Sequence, residues 1–220
     1  MSRPSVTRPL QRIADEVLKH GFAGRGNVAA SSRVVREDAL RRSMVFYFDE
    51  HSAEVLGEPG LDVAVVVEHI SDVDLSPLRS GLSVGLELVG PASESVVAGH
   101  YPWPGPGGEL PSGLVADLPH AIAVLEEFED PRELVRWMVD PDVLVAGRRV
   151  PGETQPARRL IPAAVIAAEI GDHTLEEMVV EQARNLPYGR ERRAMRHLVD
   201  LLGERVPGGL LHLLPPGDRR

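Results

Sequence analysis

Residues 99 to 113, Gly-His-Tyr-Pro-Trp-Pro-Gly-Pro-Gly-Gly-Glu-Leu-Pro-Ser-Gly, place four prolines and five glycines within fifteen positions. Each proline removes a backbone donor, and each glycine weakens a regular element, so the segment is expected to hold neither a ladder nor a helix. It therefore reads as a loop, and it divides the chain by pattern. Before it lie short runs of β-branched and aromatic residues. After it lie stretches with helical spacing.

The runs before the loop are Met44-Val-Phe-Tyr-Phe-Asp49, Leu61-Asp-Val-Ala-Val-Val-Val-Glu-His-Ile70 and Leu82-Ser-Val-Gly-Leu-Glu-Leu-Val89. They read as strands, punctuated by Glu58-Pro-Gly60 and Gly90-Pro91. No helical pattern separates them, which predicts an antiparallel meander rather than a parallel sheet. Upstream, residues 9 to 20 put Leu10, Ile13, Val17 and Leu18 on one helical face, with Gly21 suited to the helix end.

After the loop, Asp117 reads as the cap of a helix whose Leu118, Ile122, Leu125 and Phe128 form an apolar stripe, with His120, Glu126, Glu127 and Asp130 facing away. Asp130-Pro131-Arg132-Glu133 reads as a fresh helix start, with a capping aspartate followed by proline in the first turn. A second loop is expected over about 140 to 156. An apolar helix from Ile161 to Ile170 should be closed by Gly171, and Thr174-Leu-Glu-Glu177 reads as the capping box of the next, which Leu186-Pro187 ends. A last helix is expected from Gly189 to Leu202.

The predicted fold is α+β: an N-terminal helix on an antiparallel sheet built from about residues 28 to 99, then a helical C-terminal half. Residues 1 to 205 are expected to form one domain, with the sheet part to about residue 100 and the helical part from about 115. Residues 206 to 220, rich in proline and glycine, are expected to form a flexible tail.

With no cysteine in 220 residues, disulfides, thiolate metal sites and a cysteine nucleophile are excluded. The arginines near Met1 are followed by no apolar core of a secretory signal, and no stretch approaches the roughly 20 apolar residues of a membrane span. A cytoplasmic location without membrane association is the expectation. Charge is unevenly placed. Residues 1 to 42 carry nine basic and four acidic side chains, 43 to 147 three and nineteen, and 148 to 220 twelve and ten. An acidic middle repels nucleic acid and attracts basic partners.

Gly81-Leu-Ser-Val-Gly85 matches the spacing of a nucleophile elbow, but strand-like sequence follows the serine where a helix is required, so Ser83 reads as a strand residue. The eight histidines show no metal-binding spacing, and Asp172-His173 reads as a turn between helices. Gly24-Arg-Gly26 lacks the lysine and helix start of a phosphate cradle and reads as a flexible turn. Arg190, Arg192, Arg193 and Arg196 cluster on the last helix and read as a solvated face. No catalytic residue, metal ligand or cofactor site is assigned. Tyr101 and Trp103, two of nine aromatics, stand on the proline-rich loop, where exposed rings suit a protein interface and where folding back to cover the sheet is at least as much expected.

Leu18-Lys-His-Gly21-Phe22, the strands around Met44 to Phe48 and Val63 to Val67, Asp117-Leu-Pro-His-Ala-Ile and Glu129-Asp-Pro-Arg-Glu-Leu134 together resemble an uncharacterised bacterial family of unknown function. Its members open with a helix end of the form Leu-Lys-x-x-Gly-Phe. The resemblance spans about residues 10 to 205 and implies a long helix after a sheet, a buried phenylalanine at Phe22 and kinship with immunity proteins of toxin systems. It brings no catalytic residues, and this chain departs from the family by its longer Pro/Gly loops.

The function expected from these readings is a protein-binding module, an immunity-like inhibitor of a basic partner. Tyr101 and Trp103 would anchor the contact, and His120, Glu126, Glu127 and Asp130 would steer it. The alternative is an enzyme of unrecognised type, a hydrolase, which would require a pocket with titratable groups in mutual reach.

Overall fold

The computed structural model describes residues 7–19, 24–28, 31–37, 39–49, 60–75, 78, 83–87, 100–104, 109–140, 144–145, 148–149 and 155–218. Helix α1 (Thr7–Leu18) precedes six strands: β1 (Gly24–Val28), β2 (Ser31–Glu37), β3 (Arg41–Asp49), β4 (Gly60–Glu68), β5 (Ser83–Glu87) and β6 (His100–Pro102). Then come α2 (Ser112–Glu127), α3 (Pro131–Val139), a two-residue hairpin pair β7 (Leu144–Val145) and β8 (Arg148–Arg149), α4 (Pro156–Ile170), α5 (His173–Arg184) and α6 (Arg190–Leu202). Two short 3-10 turns, Leu211–Leu213 and Pro216–Asp218, follow. The fold is α+β, as the split pattern predicts.

The sheet is antiparallel at every pairing, in the order β1-β2-β3-β4-β5. Strand β6 shares β4 with β5: β5 pairs Ala64 to Glu68, and β6 pairs Gly60 to Asp62. Alternation along β3 and β4 turns Met44, Phe46, Leu61, Val63 and Val67 into the core. Helix α1 lies against β2 and buries Leu10 and Ile13.

Two strands depart from the sequence expectation. Gly24-Arg-Gly26 is ladder, not turn: Gly24 pairs with Val35 and Gly26 with Arg33. A strand rich in glycine has low intrinsic preference for a sheet, but the pairing offered by β2 supplies partners for its backbone groups. His100, Tyr101 and Pro102, expected in a loop, pair with Asp62, Leu61 and Gly60. Proline is tolerated there because it closes a three-residue strand.

In the helical half, the stripe Leu118, Ile122, Leu125 and Phe128 is buried as predicted. The start of the helix is not: α2 begins at Ser112, and Asp117 is fully buried inside it rather than capping it. Pro119 lies within the helix, so an aspartate two residues before a proline imitates the first turn of a new element. Asp130 does cap α3, its side chain accepting from the Arg132 N–H at 2.9 Å, with Pro131 at the first position. Gly171 closes α4 at φ 67°, a conformation that glycine adopts without strain. The cap of α5 is Asp172, which accepts from the Leu175 N–H at 3.1 Å, and not Thr174. Helix α4 begins at Pro156, five residues before the expected Ile161.

Helices α3 to α6 pack together around α4, which is buried from Leu160 to Ala167. The final segment is part of this core. Val206, Leu210, Leu213 and Leu214 are buried, and the Arg184 guanidinium donates to the His212 carbonyl at 3.0 and 3.2 Å. The expectation of a flexible tail from residue 206 is therefore corrected over 206 to 218. Four apolar side chains outweigh the prolines and glycines that suggested fraying, each burial contributing about 1.5–3 kcal/mol.

Candidate functional site

Of the six residues expected to meet a partner, the structure separates two aromatics from the carboxylates. Tyr101, on β6, is only 4% exposed, and its hydroxyl donates to Asp117 Oδ2 at 2.9 Å. Burial, and then the Asp117 carboxyl beside it, push the phenol well above the usual tyrosine range. Trp103 is half-buried, with its ring 4.7 Å from Phe48 in an edge-on contact. Tyr101 closes the end of the sheet against α2, and Trp103 packs on Phe48 of β3. Tyr101 is therefore not an exposed ring and Trp103 is exposed only in part, which matches the reading that the rings fold back on the sheet: apolar rings gain more from covering it than from water.

Glu126 and Glu127 are exposed in the last turn of α2, and Glu129 is exposed just beyond Phe128. None of the three carboxylates makes an ion pair or hydrogen bond among the described residues. No basic side chain stands in that last turn. Carboxylates at a helix C-terminus face the negative end of the macrodipole, an arrangement that is unfavourable by about 0.3–1 kcal/mol each. Directly beneath them, the buried Arg42 guanidinium of β3 donates to the Leu125 carbonyl at 3.2 Å, which fixes the end of the helix on the sheet. The side chain of His120 lies outside the described residues.

Asp130 stands close in sequence but is otherwise engaged. It accepts from the Arg132 backbone N–H, and the Arg132 guanidinium bridges Asp130 Oδ2 at 3.2 Å and Asp172 Oδ2 at 3.0 Å. The backbone hydrogen bond, and secondarily Arg132, hold the Asp130 carboxyl below the ordinary aspartate value. Asp172 is lowered likewise, first by the Leu175 N–H and then by Arg132. These aspartates cap two helices and lock them to one another, which accounts for the Asp172-His173 turn without a metal. Among the described residues no group of three metal-ligating side chains converges.

Ser83 opens β5 and pairs with Glu68, so it occupies a strand as predicted. A different serine meets acid and histidine. Ser71 Oγ donates to Glu169 Oε1, and His69 Nε2 meets Glu169 Oε2 at 2.8 Å. The carboxylate stands between the serine and the imidazole, whereas nucleophile activation needs the base against the hydroxyl. The trio ties the end of β4 to α4. No sequence signal announces it, since Glu169 lies about 100 residues from His69 and Ser71.

No family model matches the chain, and neither the curated proteins nor the solved structures yield a match. The helix end that carries the family resemblance, Leu18-Lys19-His20-Gly21-Phe22, has one residue rather than two between lysine and glycine.

Proposed function

We propose that this protein is a binding module that occupies a cationic protein partner, in the manner of an immunity-type inhibitor, through the acidic end of α2. The observation that supports it most is the placing of Glu126, Glu127 and Glu129. Three exposed carboxylates crowd the negative end of a helix whose last turn has no basic residue, and none of them makes an ion pair among the described residues. A cationic surface docked there would relieve that repulsion, and the surrounding stretch of chain, with nineteen acidic and three basic side chains, would steer its approach. Arg42, bonded to Leu125, holds the patch rigid, so little ordering entropy is lost on docking.

The steering residues are therefore Glu126, Glu127 and Glu129, without the aromatic pair. The test is capture from a bacterial lysate on the immobilised protein, alongside Glu126→Lys/Glu127→Lys. A protein of high isoelectric point should be retained by the wild type at low salt, released as ionic strength rises, and missing from the variant. The charge reversal should leave thermal stability equal or higher, because lysine suits a helix C-terminus. Identical cationic retention by wild type and variant would remove this function from the patch.

A further inference from the structure

A cleft of about 180 Å³ opens where α5 turns into α6, lined by Tyr188, Gly189, Arg192, Arg193, Arg196 and Asp218. It contains three guanidinium groups against one carboxylate, on a protein whose formal net charge is -9. A concavity lined by several cations on an otherwise acidic molecule attracts an anion.

The cleft is also prepared in detail. Arg192 is held by two of its own contacts, donating through Nη2 to the carbonyls of Arg184 at 3.3 Å and Leu186 at 3.2 Å. Its guanidinium stacks over the Tyr188 ring with 4.8 Å to the centroid. Its Nε is shielded from solvent yet has no hydrogen-bond partner among the described residues, and the same is true of Asp218 Oδ2. The two side chains do not satisfy each other, since Arg192 Nη1 and Asp218 Oδ2 stand 3.9 Å apart, beyond hydrogen-bond length. A guanidinium held in place through Nη2, with Nη1 making no hydrogen bond among the described residues, is what recognition of a tetrahedral anion requires. Tyr188 is 87% exposed, the most open large apolar side chain among the described residues, so a ring surface remains available beside the arginines. An aromatic in that position costs solvation unless a planar group covers it.

We propose that this cleft binds a phosphomonoester: Arg192 and Arg193 hold the phosphate, and a planar group attached to it lies on Tyr188. Asp218 would accept from a hydroxyl of the same ligand, which favours a nucleoside monophosphate over a bare anion. The site is distinct from the acidic end of α2 and independent of the partner proposed for it.

The experiment is calorimetric titration of the full chain with adenosine monophosphate, inorganic phosphate and adenosine, each on wild type, Arg193→Glu and Tyr188→Ala. Both substituted side chains are exposed, so the variants should melt close to the wild type. Adenosine monophosphate should bind, with phosphate competing and adenosine silent. Arg193→Glu should weaken the nucleotide about tenfold or more, the worth of one charge-assisted hydrogen bond. Tyr188→Ala should weaken the nucleotide but leave phosphate unchanged. Phosphate binding as tightly as the nucleotide, and lost in Arg193→Glu, would keep the anion site and identify free phosphate as its occupant. Absence of saturable binding by both anions at millimolar concentration, or binding indifferent to Arg193→Glu, would overturn the proposal.

Discussion

Tyr101 donates its hydroxyl hydrogen to Asp117 Oδ2 at 2.9 Å, joining the shortest strand of the main sheet to the second turn of the helix that follows it. The other oxygen of that carboxyl, Oδ1, is buried without a partner among the described residues. One hydrogen bond thus carries most of the polar satisfaction of a fully buried aspartate.

Tyr101→Phe should consequently cost about 1–3 kcal/mol, more than an ordinary hydrogen bond, because it strands the second oxygen of Asp117 as well. Urea unfolding at neutral pH measures it. The same phenol makes stability fall in alkali. Its folded pKa is raised, so the stabilisation is complete below the unfolded value near 10 and declines above it, as the unfolded chain ionises and the folded one resists. Wild type should lose stability faster than Tyr101→Phe above about pH 10. Equal slopes would show that the hydroxyl reaches solvent.

In acid the sign reverses. Asp130 and Asp172 have lowered folded pKa values, so their contribution is present above the unfolded aspartate range near 4 and is lost as pH falls through the folded values. Arg132 reaches both. Arg132→Gln should flatten the fall in melting temperature between about pH 5 and 3. Asp130→Ala should lower stability at neutral pH by about 0.5–2 kcal/mol through loss of the cap. An unchanged acid limb in Arg132→Gln would mean the guanidinium contributes nothing at either cap.

Leu213 is fully buried although it lies within the stretch that reads as a frayed end. Leu213→Ala is expected to destabilise the whole protein by about 2–5 kcal/mol. In limited proteolysis the wild type should resist cleavage after Leu210 and Leu211, and the variant should be cut. Equal susceptibility would place this segment outside the cooperative unit.

Ser83 pairs with Glu68 at the start of β5, where the backbone continues as a strand rather than turning into a helix. A fluorophosphonate probe should leave it unlabelled under conditions that label an authentic serine hydrolase in the same tube. Stoichiometric labelling at Ser83 would contradict its reading as a strand residue.

The parts legible in the sequence were those where local chemistry and tertiary packing agree. Strands β3 and β4 are β-branched and aromatic runs that also bury one face, and Asp130-Pro131 combines a cap with a favoured first residue. Strands β1 and β2, Gly-Arg-Gly-Asn-Val and Ser-Ser-Arg-Val-Val-Arg-Glu, have weak local preference and exist because β3 offers β2 a ladder and β2 in turn offers one to β1. Asp117 misleads for the opposite reason. Its local setting is that of a cap, while its role, meeting Tyr101 across the interior, is fixed by residues 16 positions away. The candidate site divides along the same line: exposure of Glu126 and Glu127 follows from helical period alone, whereas whether Tyr101 and Trp103 face outward depends on where the sheet ends.

Strand β4 has β3 on one edge and, on the other, β5 and β6 laid end to end without pairing to each other. Over evolutionary time this wiring distributes constraint unequally. Strands β5 and β6 can drift in length and composition separately, since neither sets the register of the other. Every position from Gly60 to Glu68 except Val63 answers to two neighbours at once, so an insertion or a proline there would cost two ladders, and β4 should be the slowest-changing strand of the sheet.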